Sequence, residues 1–267
     1  MNVLLGDAAP DLYGRPLSQL NLGIDEVDAY RNGEMTVLAK YSKPVVVNVL
    51  NFPVGGQTVA NTKVSSVQYD QLRLIVDLAS STGVFKSGTT MPINFLTNQY
   101  TWSTVGAGAN TSTTPVGNNA VSIVVTQPFS IPQSGNNAVR LDFNAFEALD
   151  LWSQGGLVAL PALFVSPIDT SGMVSGKVVD AYGNPVSGAV IVATASNGSI
   201  GNTGVTDSNG NYMLDTLPYG YYSITVYNWY MNAAGREFTS SSNSQNMSVQ
   251  GPTVDVQGPV IVKTISD

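Results

Sequence analysis

The chain contains no cysteine and no histidine in 267 residues. Without a thiol it can form no disulfide, no thiolate nucleophile and no thiolate-bound zinc or iron–sulfur centre. Without an imidazole it has no serine–histidine–aspartate triad, no histidine general base and no imidazole metal ligand. Charge is scarce as well: 11% of residues are Asp, Glu, Lys or Arg, against about 25% in an ordinary soluble domain. Any catalysis would rest on carboxylates, Lys, Tyr or Ser, or on a calcium site built from oxygen ligands. The net charge of −7 has the wrong sign for a phosphate-binding surface, so no nucleic-acid partner is expected. No apolar run reaches the roughly 20 residues that carry a helix across a bilayer.

What is present points to β-structure. Hydrophobic residues, 43% of the chain, recur mostly with period two, and 26 glycines and 14 prolines fall between the short runs. That is the pattern of an all-β protein. Strands are expected at Val45–Leu50, Leu72–Leu78, Val121–Thr126, Val139–Phe143, Leu157–Val165, Met173–Val179, Ala189–Ala193, Tyr221–Tyr227 and Val260–Lys263. Ala145–Trp152 is the exception, where Phe146, Leu149 and Trp152 share one helical face; a short helix or a bent strand fits equally well. Gly106–Asn119, small and unpatterned, reads as a long mobile loop. The Pro/Ser/Gly stretch Ser166–Gly172 suggests a boundary. The expected architecture is therefore two β-sandwich domains in tandem, residues 1–168 and 169–267.

In the C-terminal half the phrases VSGKVVDAYGNPVSGAVIVATA and GVTDSNGNYMLDTLPYGYYSITVY begin at Val174 and Gly204. Gly183-Asn184-Pro185 marks a turn, Asn209-Gly210 reads as the positive-φ pair of a tight hairpin, and Leu217–Tyr221 turns the chain into a last long strand. From Val174 to Tyr227 this order resembles the carboxypeptidase regulatory-like domain, a transthyretin-like (prealbumin-like) β-sandwich. The resemblance implies a structural or accessory module of secreted proteins with no catalytic residues of its own.

Asp207, Asn209 and Asn211 alternate as calcium ligands do, but the bidentate acid such loops require is missing, so a turn is expected and no metal. Lys177 could in principle form an isopeptide bond, but it lacks an acid placed for that chemistry and reads as a solvated strand residue. Along the strand from Tyr221, Tyr222, Ile224 and Val226 share one face, and Tyr221, Tyr227 and Trp229 form an aromatic row on the other. If the Ile/Val face is core, the row can stack on sugar rings or pack on another subunit, unless the segment from Asn232 to Ser248 covers it.

In the N-terminal half the informative residues are Asp7-Ala-Ala-Pro10, Ile24-Asp25 with Val27, Tyr69 with Arg73-Leu74, and Leu141-Asp-Phe143. In this order residues 1–166 resemble the secreted bacterial and archaeal domain of unknown function four-three-eight-two, frequent on surface lipoproteins. That resemblance carries over no functional residues. Glu26 and Asp28 fall on one face of a strand and Asp25 on the other; these three read as solvated edge charges, not a hydrolase pair. Asp142, Glu147 and Asp150 read no differently, and Asp70 with Arg73 reads as a surface pair.

Together these features favour a non-enzymatic extracellular structural or adhesive surface protein without cofactor, whose signal segment has been removed. Both ends of the chain, Asn2–Leu5 and Val260–Ile265, read as strands, which would suit a self-assembling filament subunit that pairs strand to strand. The alternative is a glycan-binding accessory module that uses Tyr221, Tyr227 and Trp229. The sequons at Asn110, Asn197 and Asn246 matter only where a glycosylation pathway exists.

Overall fold

A computed structural model describes residues 1–6, 11–12, 15–52, 55–64, 68–95, 99–100, 110–131, 137–143, 149–151, 157–159, 163–196, 200–232, 235–240, 245–255 and 260–262. Among the described residues all regular structure is strand apart from two 3₁₀ turns, Val49–Asn51 and Ile168–Thr170. None of their helices is long and apolar enough to cross a membrane. The chain divides into two compact units, the second of which begins at Thr170.

Unit 1 contains β1 (Asn2–Gly6), β2 (Asp11–Leu12), β3 (Arg15–Arg31), β4 (Glu34–Asn48), β5 (Gln57–Asn61), β6 (Gln68–Phe85), β7 (Thr90–Phe95), β8 (Gln99–Tyr100), β9 (Asn110–Val116), β10 (Ala120–Ser130), β11 (Ala138–Phe143), β12 (Leu149–Leu151), β13 (Leu157–Ala159) and β14 (Leu163–Pro167). One sheet has the order β14-β11-β1-β5; the other runs β12-β13-β7-β6-β10-β9-β8, with β3 on the second edge of β6 and β4 and β2 paired to β3. Alternate residues of both sheets meet in one core: Val3 and Leu5 of β1 and Leu141 of β11 pack with Leu22, Ile24, Leu72, Leu74 and Ile123. Asn32 and Gly33, at φ 48° and 81°, give the paired left-handed residues that a two-residue hairpin between β3 and β4 needs.

Unit 2 contains β15 (Ser171–Asp180), β16 (Val190–Ala195), β17 (Ile200–Val205), β18 (Asn211–Pro218), β19 (Gly220–Asn232), β20 (Gly235–Ser240), β21 (Gln245–Val249), β22 (Thr253–Asp255) and β23 (Val260–Val262). β15 pairs with β18, β22 and β23; β19 pairs with β16 on one edge and with β20 and β21 along the other. Val174, Val178 and Leu214 from the first group and Ile191, Ala193, Ile224 and Val226 from the second fill a separate core. The all-β sandwich expectation thus holds.

Several local expectations are corrected. Asn110–Val116 is not a loop but strand β9, antiparallel to β10. Its inward positions are Thr111 and Thr113, both buried, so the alternation is written in threonine, a good strand former that hydropathy does not flag. Within Ala145–Trp152, Leu149–Leu151 is strand β12 and not helix; 144–148 and 152 lie outside the described residues. The run Leu157–Val165 is two strands in different sheets, with Pro161, which cannot donate to a ladder, between them. Asp207–Asn211 is not a hairpin: it carries the chain from β17 in one sheet to β18 in the other. Gly210 alone in it has positive φ, at 77°.

Both terminal strands complete their own sheets. β1 lies between β11 and β5, and β23 pairs in parallel with β15. The physical reason is that Val3 and Leu5, 0% exposed, have their apolar face in the core and both edges hydrogen-bonded. Leu5→Ala should therefore cost about 2–5 kcal/mol, measured by urea denaturation of the whole chain; a loss below about 1 kcal/mol would show that β1 is not a core strand.

Candidate functional site

The acids considered for chemistry lie on β3. It runs between β4 and β6, so side chains on its outer face are flanked on both sides and are not edge groups. Asp28 is 0% and Glu26 8% exposed, which corrects the reading of solvated charges. Register brings Arg73 of β6 opposite Asp28 and Lys40 of β4 opposite Glu26. Arg73 donates from Nε to Asp28 Oδ2 at 2.7 Å and from Nη2 to Glu26 Oε1 at 2.9 Å, and Lys40 Nζ donates to Glu26 Oε2 at 2.5 Å. The guanidinium also lies 5.7 Å from the centre of the Tyr30 ring. Arg73 is therefore not the partner of Asp70, whose carboxylate instead accepts the Asn32 N–H at 2.6 Å in the β3–β4 turn.

Burial pushes the Asp28 carboxyl above its ordinary range, against the pull of Arg73. The hydrogen bond from Lys40 holds Glu26 below its ordinary range. Asp25, half-buried, is raised by burial and by Asp77. The pair Arg140 and Asp142 on β11 is equally buried, at 0% and 4% exposed, with Nη2 to Oδ1 at 3.6 Å. Arg140 also donates to the Phe52 carbonyl at 3.2 Å. These groups tie strands together; two carboxyls locked by cations on a sheet face do not form an open acid–base cleft.

Unit 2 uses its acids at turns. Asp180 Oδ1 accepts the N–H groups of Tyr182 and Asn184, each at 2.8 Å, and the Asn184 side-chain hydrogen bond lowers its pKa. Asp207 Oδ1 accepts the N–H groups of Asn209 and Asn211, each at 2.8 Å, and the Asn211 bond leads in lowering it. Asp207 thus has the turn role read from the sequence. Lys177 is exposed.

The aromatic row is described in part. Tyr222, Ile224 and Val226 are buried at 5%, 0% and 0%, so the other face of β19 points outward, and Tyr221 is 66% exposed. The side chains of Tyr227 and Trp229 lie outside the described residues; their backbones pair with Ser240 and Phe238. Strands β20 and β21 lie beside β19 in its own sheet, so these paired stretches of the 232–248 segment do not form a layer over the Tyr221 face.

Around Tyr221 two rungs of cross-strand neighbours face outward. Register places Thr194 of β16 and Asn246 of β21 on either side of Ser223, and Ser248 beside Tyr221; the Ser196 N–H bonds the Tyr221 carbonyl at 3.0 Å. These residues line an open groove of about 570 Å³. The Ser248 hydroxyl is buried there and has no hydrogen-bond partner among the described residues. Sequence reasoning found Tyr221 but missed the flanking hydroxyls and the amide, because their place depends on the β16–β19–β21 register.

Residues 173–257 match the carboxypeptidase regulatory-like domain family, and the match lies within unit 2. It extends the sequence resemblance from Tyr227 to residue 257, through β20, β21 and β22. No curated protein matches the chain. Among solved structures, the BcpA major pilin subunit of Bacillus cereus aligns at 14% identity and TM-score 0.26, over 94% of this chain and 65% of that one. A C-terminal fragment of the pilus adhesin SpaC from Lactobacillus rhamnosus GG aligns at 13% identity and TM-score 0.23, over 100% of this chain and 98% of that one. The chain thus spans less than two thirds of the length of that pilin, and scores this low carry no argument about function.

The carboxyl pair gives a signed expectation. An acid whose folded pKa is raised binds more protons folded than unfolded, so its ionisation destabilises the fold as pH rises through that window. Glu26, lowered, acts in the opposite sense. Asp28→Asn removes the first effect while Lys40, which leads in holding Glu26 down, stays in place, so its melting temperature relative to the unaltered chain should climb from pH 4 to pH 7. A difference that is flat or falls over that range would show that Asp28 is not raised.

Proposed function

We propose that the chain is a non-enzymatic extracellular structural or adhesive surface protein that works by holding shape and presenting surface. The observation that supports this most is the use made of its ionisable side chains. Glu26 and Asp28 are held by Arg73 and Lys40, Asp142 faces Arg140, and Asp70, Asp180 and Asp207 accept turn amides. These six carboxylates are thereby built into the fold.

The regulatory-like match of residues 173–257 supports a modular chain, and the resemblance of residues 1–166 to the domain of unknown function four-three-eight-two belongs to the same reading. Export is supported by the low charge: only 11 Lys and Arg leave few trypsin-type cleavage sites. The two domains are proposed to meet near residue 168. Self-association would use an exposed edge, which β1, hydrogen-bonded on both sides, does not offer. β4 offers one: among the described strands it pairs with β3 alone, and it presents Met35 and Val37 at 48% and 44% exposure.

Two measurements test this. Light scattering and negative-stain microscopy should show association that grows with concentration and is abolished by Val37→Lys at unchanged melting temperature; monomers throughout would remove the filament form. Hydrolysis of polysaccharide, peptide or ester substrates by the purified chain, lost in Glu26→Gln, would overturn the non-enzymatic reading altogether.

A further inference from the structure

We propose that the groove beside Tyr221 is a binding subsite for a neutral glycan chain, with the Tyr221 ring as platform and Asn246, Ser223 and Ser248 as hydrogen-bonding partners. The proposal rests on the adhesive reading and names its ligand class.

Three observations converge. The first is shape: about 570 Å³ of open groove lies within the range of roughly 300–1,000 Å³ usual for small-ligand sites, and it opens along a strand face, so a chain can run through it. The second is the platform. Tyr221 is a large ring left 66% exposed at the groove, while its neighbour Tyr222 is 5% exposed and anchored through its hydroxyl to the Pro218 carbonyl at 2.7 Å. An exposed flat ring with a negative face suits the C–H faces of a pyranose.

The third is the polar lining. Thr194, Ser196, Ser223, Asn246 and Ser248 supply hydroxyls and a carboxamide, each of which both donates and accepts, as sugar hydroxyls do. Among the described residues of the lining there is no Lys, Arg, Asp or Glu, so a charged ligand would find no counter-charge from them. Within the groove the Ser248 hydroxyl is buried without a partner among the described residues, a position a bound hydroxyl would satisfy. The two rungs lie about 7 Å apart along the strands, which are about 4.8 Å apart, so the polar groups border the ring without covering it.

The test is affinity electrophoresis of the whole chain through gels containing a panel of neutral polysaccharides (glucans, mannan, galactan, xylan), with pectate and heparin as charged comparisons. At least one neutral polysaccharide should retard the chain, with little dependence on salt. Tyr221→Ala and Asn246→Ala should each weaken that retardation about fivefold or more, Tyr221→Trp should keep it, and all three should melt within about 2 °C of the parent because the altered groups are exposed. Retardation by none of the neutral gels, by the charged gels alone, or equally in the parent and both alanine variants would overturn the proposal. Concentration-dependent self-association persisting in such a case would leave the adhesive reading standing and remove the glycan subsite only; self-association lost in Tyr221→Ala would assign the groove to a second copy of the chain instead.

Discussion

The antiparallel pairing of β3 with β6 is the constraint from which most of unit 1 follows. These two long strands form the middle of the larger sheet, with β4 on one side and β10 and β7 on the other. A strand with neighbours on both edges cannot turn a charged side chain aside into water, so Glu26 and Asp28 must be neutralised where they stand. Arg73 meets Asp28 only in the observed register, and a slip by one residue would send the guanidinium into the core and the carboxylates away from it. Replacing such a buried network with apolar residues is often neutral or stabilising. Its contribution is accordingly to the choice of register more than to net stability.

The same logic recurs on β11, where every side chain from Ala138 to Phe143 is buried and the only two charges, Arg140 and Asp142, face each other. Unit 2 solves the problem differently. Its described sheet interiors contain no buried ion pair, and Asp180 and Asp207 sit at exposed turns where hydrogen bonds from the turn stabilise the ionised form and outweigh its desolvation. Among the described residues the buried ion pairs thus lie in unit 1, while Asp180 and Asp207 of unit 2 serve turns.

This distribution explains which features could be read in advance. Period-two alternation is a local property, so Tyr222, Ile224 and Val226 were legible as a core face, as were most strands and the all-β class. The fate of Glu26 and Asp28 was not, because Arg73 lies 45 residues from Asp28 in sequence and meets it only through sheet order. Thr111 and Thr113 were misread for a different reason: a buried threonine in a strand has the local appearance of a polar loop residue. Asp207–Asn211 shows a third kind of limit. The turn chemistry of Asp207 was readable from five residues, but whether the turn joins strands of one sheet or of two depends on where β15 and β16 lie. At the candidate site, one residue of the strand pattern, Tyr221, was legible; its lateral neighbours on β16 and β21 needed the register.

The contrast between the units bears on how the surface can work. In unit 1 the outer sheet face is crossed by an ion network whose strength depends on low local solvation, and a partner docking there would have to match or displace it. Around Tyr221 the outward rungs are neutral, and nothing ionic needs to be stripped of water when a ligand arrives. Contacts of that kind are weak singly and nearly indifferent to salt, since screening acts on charges and not on stacking or neutral hydrogen bonds. A protein that presents many copies of such a face would gain its hold through repetition, because linked weak sites bind far more tightly than any one of them. Scarcity of charge on the outward rungs is, on this view, what would let such a face adhere steadily across changes in ionic conditions.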